Sequence, residues 1–168
     1  MKLAKELAKI AGKAGACEKR HGELLELTDK RDMIKMYLDE IDFCMENDYP
    51  GNDFVRKHFK GFIEQYNVYL DDYIMLVNPD KVVALGESKG NIQFDSYTIG
   101  RVFLNHSSSV KIKVKDDAFV MIDVYGNSAV QVEASDNSKV CINRYGGTIE
   151  KNEKDRGIVK VVNKNKLS

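Results

Sequence analysis

The apolar positions along the chain follow two different periods. Over the first half they recur at helical spacing. Leu3, Leu7, Ile10 and Ala14 lie three or four residues apart with lysines on the other faces, while Gly12, Gly15 and Gly22 each weaken that helix by roughly 1 kcal/mol relative to alanine. Thr28 or Asp29 can cap a second helix, whose apolar face runs through Met33, Ile34, Tyr37, Leu38, Ile41 and Cys44 or Met45. Asn47-Asp48-Tyr49-Pro50-Gly51 ends it, and Asn52 can cap a third helix carrying Phe54, Val55, His58, Phe59, Phe62 and Ile63. Beyond Gly61, two aromatic and β-branched runs, Tyr66 to Leu70 and Tyr73 to Val77, flank Asp71-Asp72 and read as a hairpin.

From residue 82 onward the apolar positions recur every ten residues. One column is Val82, Ile92, Val102, Ile112, Ile122, Val132 and Ile142. Two residues later come Ala84, Phe94, Leu104, Val114, Val124 and Ala134, the column ending at Arg144; two residues earlier lie Gly90, Gly100, Val110, Val120, Val130 and Val140. Spacing by two within a unit is strand alternation, and a fixed spacing between units marks a repeat architecture. Turn residues such as Gly126-Asn127-Ser128 and Asp136-Asn137-Ser138 separate the units.

Two architectures satisfy this pattern. In a β-solenoid two units make one coil, and each strand stacks in parallel on the strand twenty residues away, laddering like on like. In an antiparallel β-meander each unit is one strand of a sheet laid on the helices. The constancy of the register favours the solenoid. The expectation is therefore an α+β protein: a helical cap region with a hairpin over residues 1–78, a β-solenoid over 79–150, and a last strand with a charged tail over 151–168. Ile158, Val159, Val161 and Val162 supply that strand.

Charge adds an asymmetry that the total hides. The chain carries 26 basic and 26 acidic side chains. Residues 1–20 and 151–168 each hold six basic against two acidic side chains, whereas residues 21–100 hold sixteen acidic against eight basic. The basic ends can pair with the acidic middle within one molecule or between copies, and either contact weakens with salt. Nothing in this balance points to nucleic acid. Lys111, Lys113 and Lys115 alternate on one strand face, but Asp123 and Glu133 in neighbouring units dilute that stripe, and solubilising charge is its simpler role.

Candidate chemistry is sparse. Three widely spaced cysteines, Cys17, Cys44 and Cys141, make no disulfide framework, and a cytoplasmic setting is expected. Ala14-Gly15-Ala16-Cys17 imitates a lipoprotein cleavage site, but Lys5, Glu6, Lys9 and Lys13 interrupt the apolar stretch it requires. No apolar run is long enough to span a bilayer. Cys17 and His21 lie four residues apart without a second ligand pair, so neither metal nor cofactor is expected. No phosphate loop, nucleotide fingerprint or nucleophile elbow is present, and no catalytic residue is assigned. A cysteine-dependent enzyme using Cys44 or Cys141 with a histidine stays as an outside alternative.

Two interaction surfaces stand out. Phe103, Phe119, Tyr125 and Tyr145, with Tyr97, lie off the core columns and form an outward aromatic series suited to a protein partner or to self-association; alternatively the helical region or a chain end covers them. Arg56, Lys57, His58 and Lys60 offer positive charge to a small anionic ligand.

The stretches Met33-Ile34-Lys35-Met36-Tyr37-Leu38-Asp39, Ile41-Asp42-Phe43-Cys44 through Asn47-Asp48-Tyr49-Pro50, and Asn52-Asp53-Phe54-Val55-Arg56-Lys57-His58-Phe59-Lys60-Gly61 resemble uncharacterised proteins from prophages and mobile elements of gut bacteria. The repeats ending in Val140-Cys141-Ile142-Asn143-Arg144-Tyr145-Gly146-Gly147 are similar to the valine-rich β repeats of such proteins. The resemblance implies a mobile-element setting and supplies no catalytic residues. The expected function is a non-enzymatic interaction or structural protein using the repeat scaffold for self-assembly or partner binding. The alternative is a small phage effector of anti-defence type that binds a host protein or a nucleotide signal.

Overall fold

A computed structural model of the chain describes residues 2–164; residues 165–168, the end of the expected charged tail, lie outside the described residues. The chain divides into two compact units, Met1–Tyr66 and Asn67–Ser168.

The first unit is helical. Among its described residues run α1 (Lys2–Lys13), α2 (Glu18–Leu25), α3 (Lys30–Asp39), α4 (Ile41–Glu46), α5 (Asn52–His58) and a 3-10 turn at Ile63–Tyr66. Asp29 caps α3 as expected, its carboxylate accepting the Arg31 N–H at 2.7 Å. The long second helix read from the sequence is broken at Glu40, where the backbone leaves the helical region, so α3 and α4 share its apolar face. Met33, Ile34, Ile41, Cys44 and Met45 from that face are all buried.

The second unit is a parallel β-solenoid. Its strands are β1 (Val68–Leu70), β2 (Tyr73–Val77), β3 (Lys81–Leu85), β4 (Lys89–Phe94), β5 (Ile99–Leu104), β6 (Ser109–Val114), β7 (Phe119–Val124), β8 (Ala129–Ala134), β9 (Lys139–Arg144), β10 (Thr148–Glu153) and β11 (Ile158–Asn163). The odd strands stack as sheet A in the order β1-β3-β5-β7-β9-β11, and the even strands as sheet B in the order β10-β8-β6-β4-β2. Consecutive units thus fall in opposite sheets, and each strand pairs in parallel with the strand one coil away. Ile92 lies beside Ile112, Ile112 beside Val132, Val102 beside Ile122, and Ile122 beside Ile142. These columns face one another across the interior, and the two sheets close one apolar core over them. Each fully buried Val or Ile contributes about 1.5–3 kcal/mol.

Glycine interrupts the third column for steric reasons. A Cβ on Gly90 would lie 1.8 Å from the Ile74 carbonyl oxygen, and one on Gly100 would lie 2.1 Å from the Phe94 ring. At the corners, Ser96, Asp116, Asp136 and Asp155 adopt positive φ, a conformation that Asp and Asn tolerate better than most residues. The Asp116 carboxylate accepts the Ser96 N–H at 2.8 Å, and that of Asp136 accepts the Asp116 N–H at 3.0 Å, so each corner is pinned to its neighbour. Buried serines line the corners as well, with Ser108 Oγ donating to the Asn105 carbonyl at 2.7 Å.

Two expectations are corrected. The meander is excluded, since the pairings are parallel. The hairpin does not form either. β1 pairs with β3 in sheet A and β2 with β4 in sheet B, so Asp71-Asp72 is a solenoid corner rather than a hairpin turn. β10 is a strand that the ten-residue columns do not announce. It pairs Thr148 with Ala129, one residue short of the twenty-residue coil, because the corner at Tyr145-Gly146-Gly147 is tighter.

Candidate functional site

Alternation decides which side chains of the solenoid leave the core, and the two sheets use their outward positions differently. In sheet A, Val83, Phe103, Asp123 and Asn143 form one outward column. Val83, Phe103 and Asp123 are buried, and Asn143 is half-buried. The Arg101 guanidinium lies 4.6 Å from the Phe103 ring centroid and donates to Asp123 at 3.1 Å, while the Asn143 amide donates to the other Asp123 oxygen at 2.7 Å. Both oxygens of the buried Asp123 carboxylate are thus hydrogen-bonded.

The aromatic surface expected from the sequence is corrected by these contacts. Phe103 and Tyr125 are buried. Tyr125 stacks face to face on Tyr145, which is half-buried, with ring centroids 4.3 Å apart and planes 4° from parallel. Phe119 is exposed, as is Tyr97. Outward from the core is therefore not the same as open to solvent, and the series is split between packing residues and surface residues.

The basic group lies on and just beyond α5. Arg56 pairs with Asp53 at 2.7 Å, and His58 approaches Glu6 at 3.9 Å while its carbonyl accepts Lys30. Lys57 and Lys60 are exposed. Of the thiols, Cys17 is exposed, Cys141 half-buried and Cys44 buried. Burial first, and then the nearby charges of Glu40 and Asp42, push the Cys44 thiol far above its ordinary range, which removes the thiolate a nucleophile needs.

The outward face of sheet B is an open surface with a chemical pattern. On β2 it carries Tyr73, Met75 and Val77, which are 66%, 71% and 65% exposed. The neighbouring β4 adds Lys89, Asn91 and Gln93, and β6 adds Ser109, Lys111 and Lys113. β8 and β10 complete it with Ala129, Gln131 and Glu133, then Thr148, Glu150 and Asn152. Rows about 4.8 Å apart thus pass from apolar through basic to acidic along the stack. A shallow groove of about 910 Å³ crosses this face, lined by Met75, Val77, Lys111, Lys113, Glu133 and Glu150 among others. The Asn91 amide donates to the Tyr73 hydroxyl at 3.3 Å, and Glu133 is held by Lys154 at 3.4 Å.

Part of this face is legible in the sequence. The lysine stripe is where alternation places it, but Asp123 does not dilute it, because that residue belongs to the other sheet. Tyr73, Met75 and Val77 escape the sequence reading as surface residues because a hairpin would have paired that strand with its neighbour. Their signal is a three-residue apolar alternation, Tyr73-Met75-Val77, opposite the inward Ile74 and Leu76. No helix among the described residues is long and apolar enough to cross a membrane. No family model, no curated protein and no solved structure matches the chain.

Proposed function

We propose that the chain is a non-enzymatic interaction protein whose solenoid presents the outward face of sheet B to a protein partner. The partner chemistry that fits is an apolar strip flanked by carboxylates. The strip lies along Tyr73, Met75 and Val77, and its carboxylates meet Lys89, Lys111 and Lys113. The observation that carries this reading is the exposed apolar row on β2, with Lys89 on the adjacent β4 and Lys111 and Lys113 one strand further, and no acidic side chain at the outward positions of these three strands. Adjacent large exposed apolar groups of this kind mark interaction sites more often than scattered ones. An extended polyanion fits less well, since Glu133 and Glu150 stand within two strands of the lysines. A mobile-element setting, carried over from the sequence resemblance, belongs to the same proposal.

The test compares the wild type with Tyr73→Ser/Met75→Ser/Val77→Ser and with Lys111→Glu/Lys113→Glu. Absolute mass is followed by light scattering at two protein and two salt concentrations, alongside capture of bacterial lysate proteins. Both variants should keep the far-ultraviolet circular dichroism of the wild type and lose whatever the wild type binds, a second copy or a host protein. Undiminished association in both variants would refute the assignment of this face. Replacing Phe103 and Tyr125 tests packing instead, since both are buried.

A further inference from the structure

The ends of a solenoid present two invitations to assembly: an open core and an edge strand with unpaired backbone groups. The C-terminal end departs from the rest of the stack on both counts. In sheet B the inward columns read Ile92, Ile112, Val132 and then Lys151 in one row, and Phe94, Val114, Ala134 and then Glu153 in the next. In sheet A the inward row Leu104, Val124 ends at Arg144. Charged side chains thus stand where every preceding coil has an apolar one. Lys151 and Glu153 pair with each other at 3.5 Å, their side chains 48% and 42% exposed.

Both also reach across the mouth of the core to β11. The Val159 N–H donates to Glu153 Oε1 at 2.8 Å, and Lys151 Nζ donates to the Val159 carbonyl at 3.1 Å. In a parallel strand, alternate residues turn their N–H and C=O to opposite sides. Ile158 N–H bonds to Ser138 of the preceding coil, so the groups of Val159 point to the free edge. These are the first donor and acceptor along that edge that an incoming strand would seek, and both are occupied from within the chain.

We propose that the C-terminal end of the solenoid is a built assembly stop. Lys151 and Glu153 close the core with charge and hold the edge groups of Val159, so the end accepts no strand from a second copy. Association of the solenoid unit is then kept away from this end. This inference does not depend on what the face of sheet B binds.

The test replaces the pair by the residues that occupy the same rows one coil earlier, Lys151→Val and Glu153→Ala. That double variant should associate through its opened end, so its weight-average mass by light scattering rises with concentration to at least twice that of the wild type under the same conditions. The exchanged pair Lys151→Glu/Glu153→Lys keeps the end polar and should stay at the wild-type mass. A folded Lys151→Val/Glu153→Ala protein that keeps the wild-type mass at every concentration overturns the proposal. If that double variant does not fold, amide hydrogen exchange decides on the single change Glu153→Ala. The Val159 amide should then exchange at least ten-fold faster while Ile158 stays protected, and an unchanged Val159 rate overturns the clamp.

Discussion

On the outward side of sheet A, Val83, Phe103 and Asp123 succeed one another in register and are all withdrawn from water. On the outward side of sheet B the equivalent row is Gln93, Lys113 and Glu133, and the apolar row at its start, Tyr73, Met75 and Val77, lies open. The inward rows of the two sheets are nearly interchangeable runs of Val, Ile and Ala. The ten-residue period therefore dictates the core and leaves the outward positions unconstrained. Those positions diverge into a packed network on one side and a solvent-open face of graded composition on the other.

The comparison can be broken by mutation. The largest expected effect is on sheet A. Phe103→Ala should destabilise the solenoid by about 3–5 kcal/mol, whereas Met75→Ala on sheet B should stay within about 0.5 kcal/mol, both read from urea unfolding. Equal effects at the two positions would erase the distinction between the faces. Next, Asp123→Ala strands Arg101 and Asn143. Losing a fully buried ion pair costs about 3–5 kcal/mol, and the 37% exposed Arg101 side chain lowers the expectation to about 2 kcal/mol. Ile122→Val, at a core position shared in kind by both sheets, should cost about 1 kcal/mol. A smaller effect distinguishes the end of the rod. The Val159 N–H first, and then Lys151, hold the Glu153 carboxyl below the ordinary glutamate range. Its contribution to stability is therefore full above the ordinary glutamate pKa and lost as pH falls through the lowered value. Thermal melts of the wild type and Glu153→Gln should differ at neutral pH and converge on acidification.

Much of this architecture is legible because the columns from Val82 to Ile142 repeat without a slip, and only stacking coils require that. The parts that sequence reasoning misplaces are the coils that depart from the period. Val68 pairs with Val83 and Tyr73 with Lys89, so the first coil is too short to fall on the ten-residue grid, and its acidic corner has the local chemistry of a hairpin turn. β10 is invisible because the short corner before it takes it one residue off the ten-residue grid, and Lys151 and Glu153 replace the apolar alternation. The surfaces are harder still. Alternation places Phe103 outward correctly, but no local pattern says that an outward aromatic is covered while an outward Met75 is bare.

The most direct test of the interaction face is site-specific photo-crosslinking in a bacterial host. A crosslinking amino acid is placed at Met75 on sheet B and, as a control, at the exposed Lys160 on sheet A. Position 75 should give a discrete adduct, to a partner or to a second copy, that disappears with Lys111→Glu/Lys113→Glu, and position 160 should give none. Adducts from position 160 alone, or adducts from position 75 that survive the lysine reversals, would contradict the interaction face on sheet B.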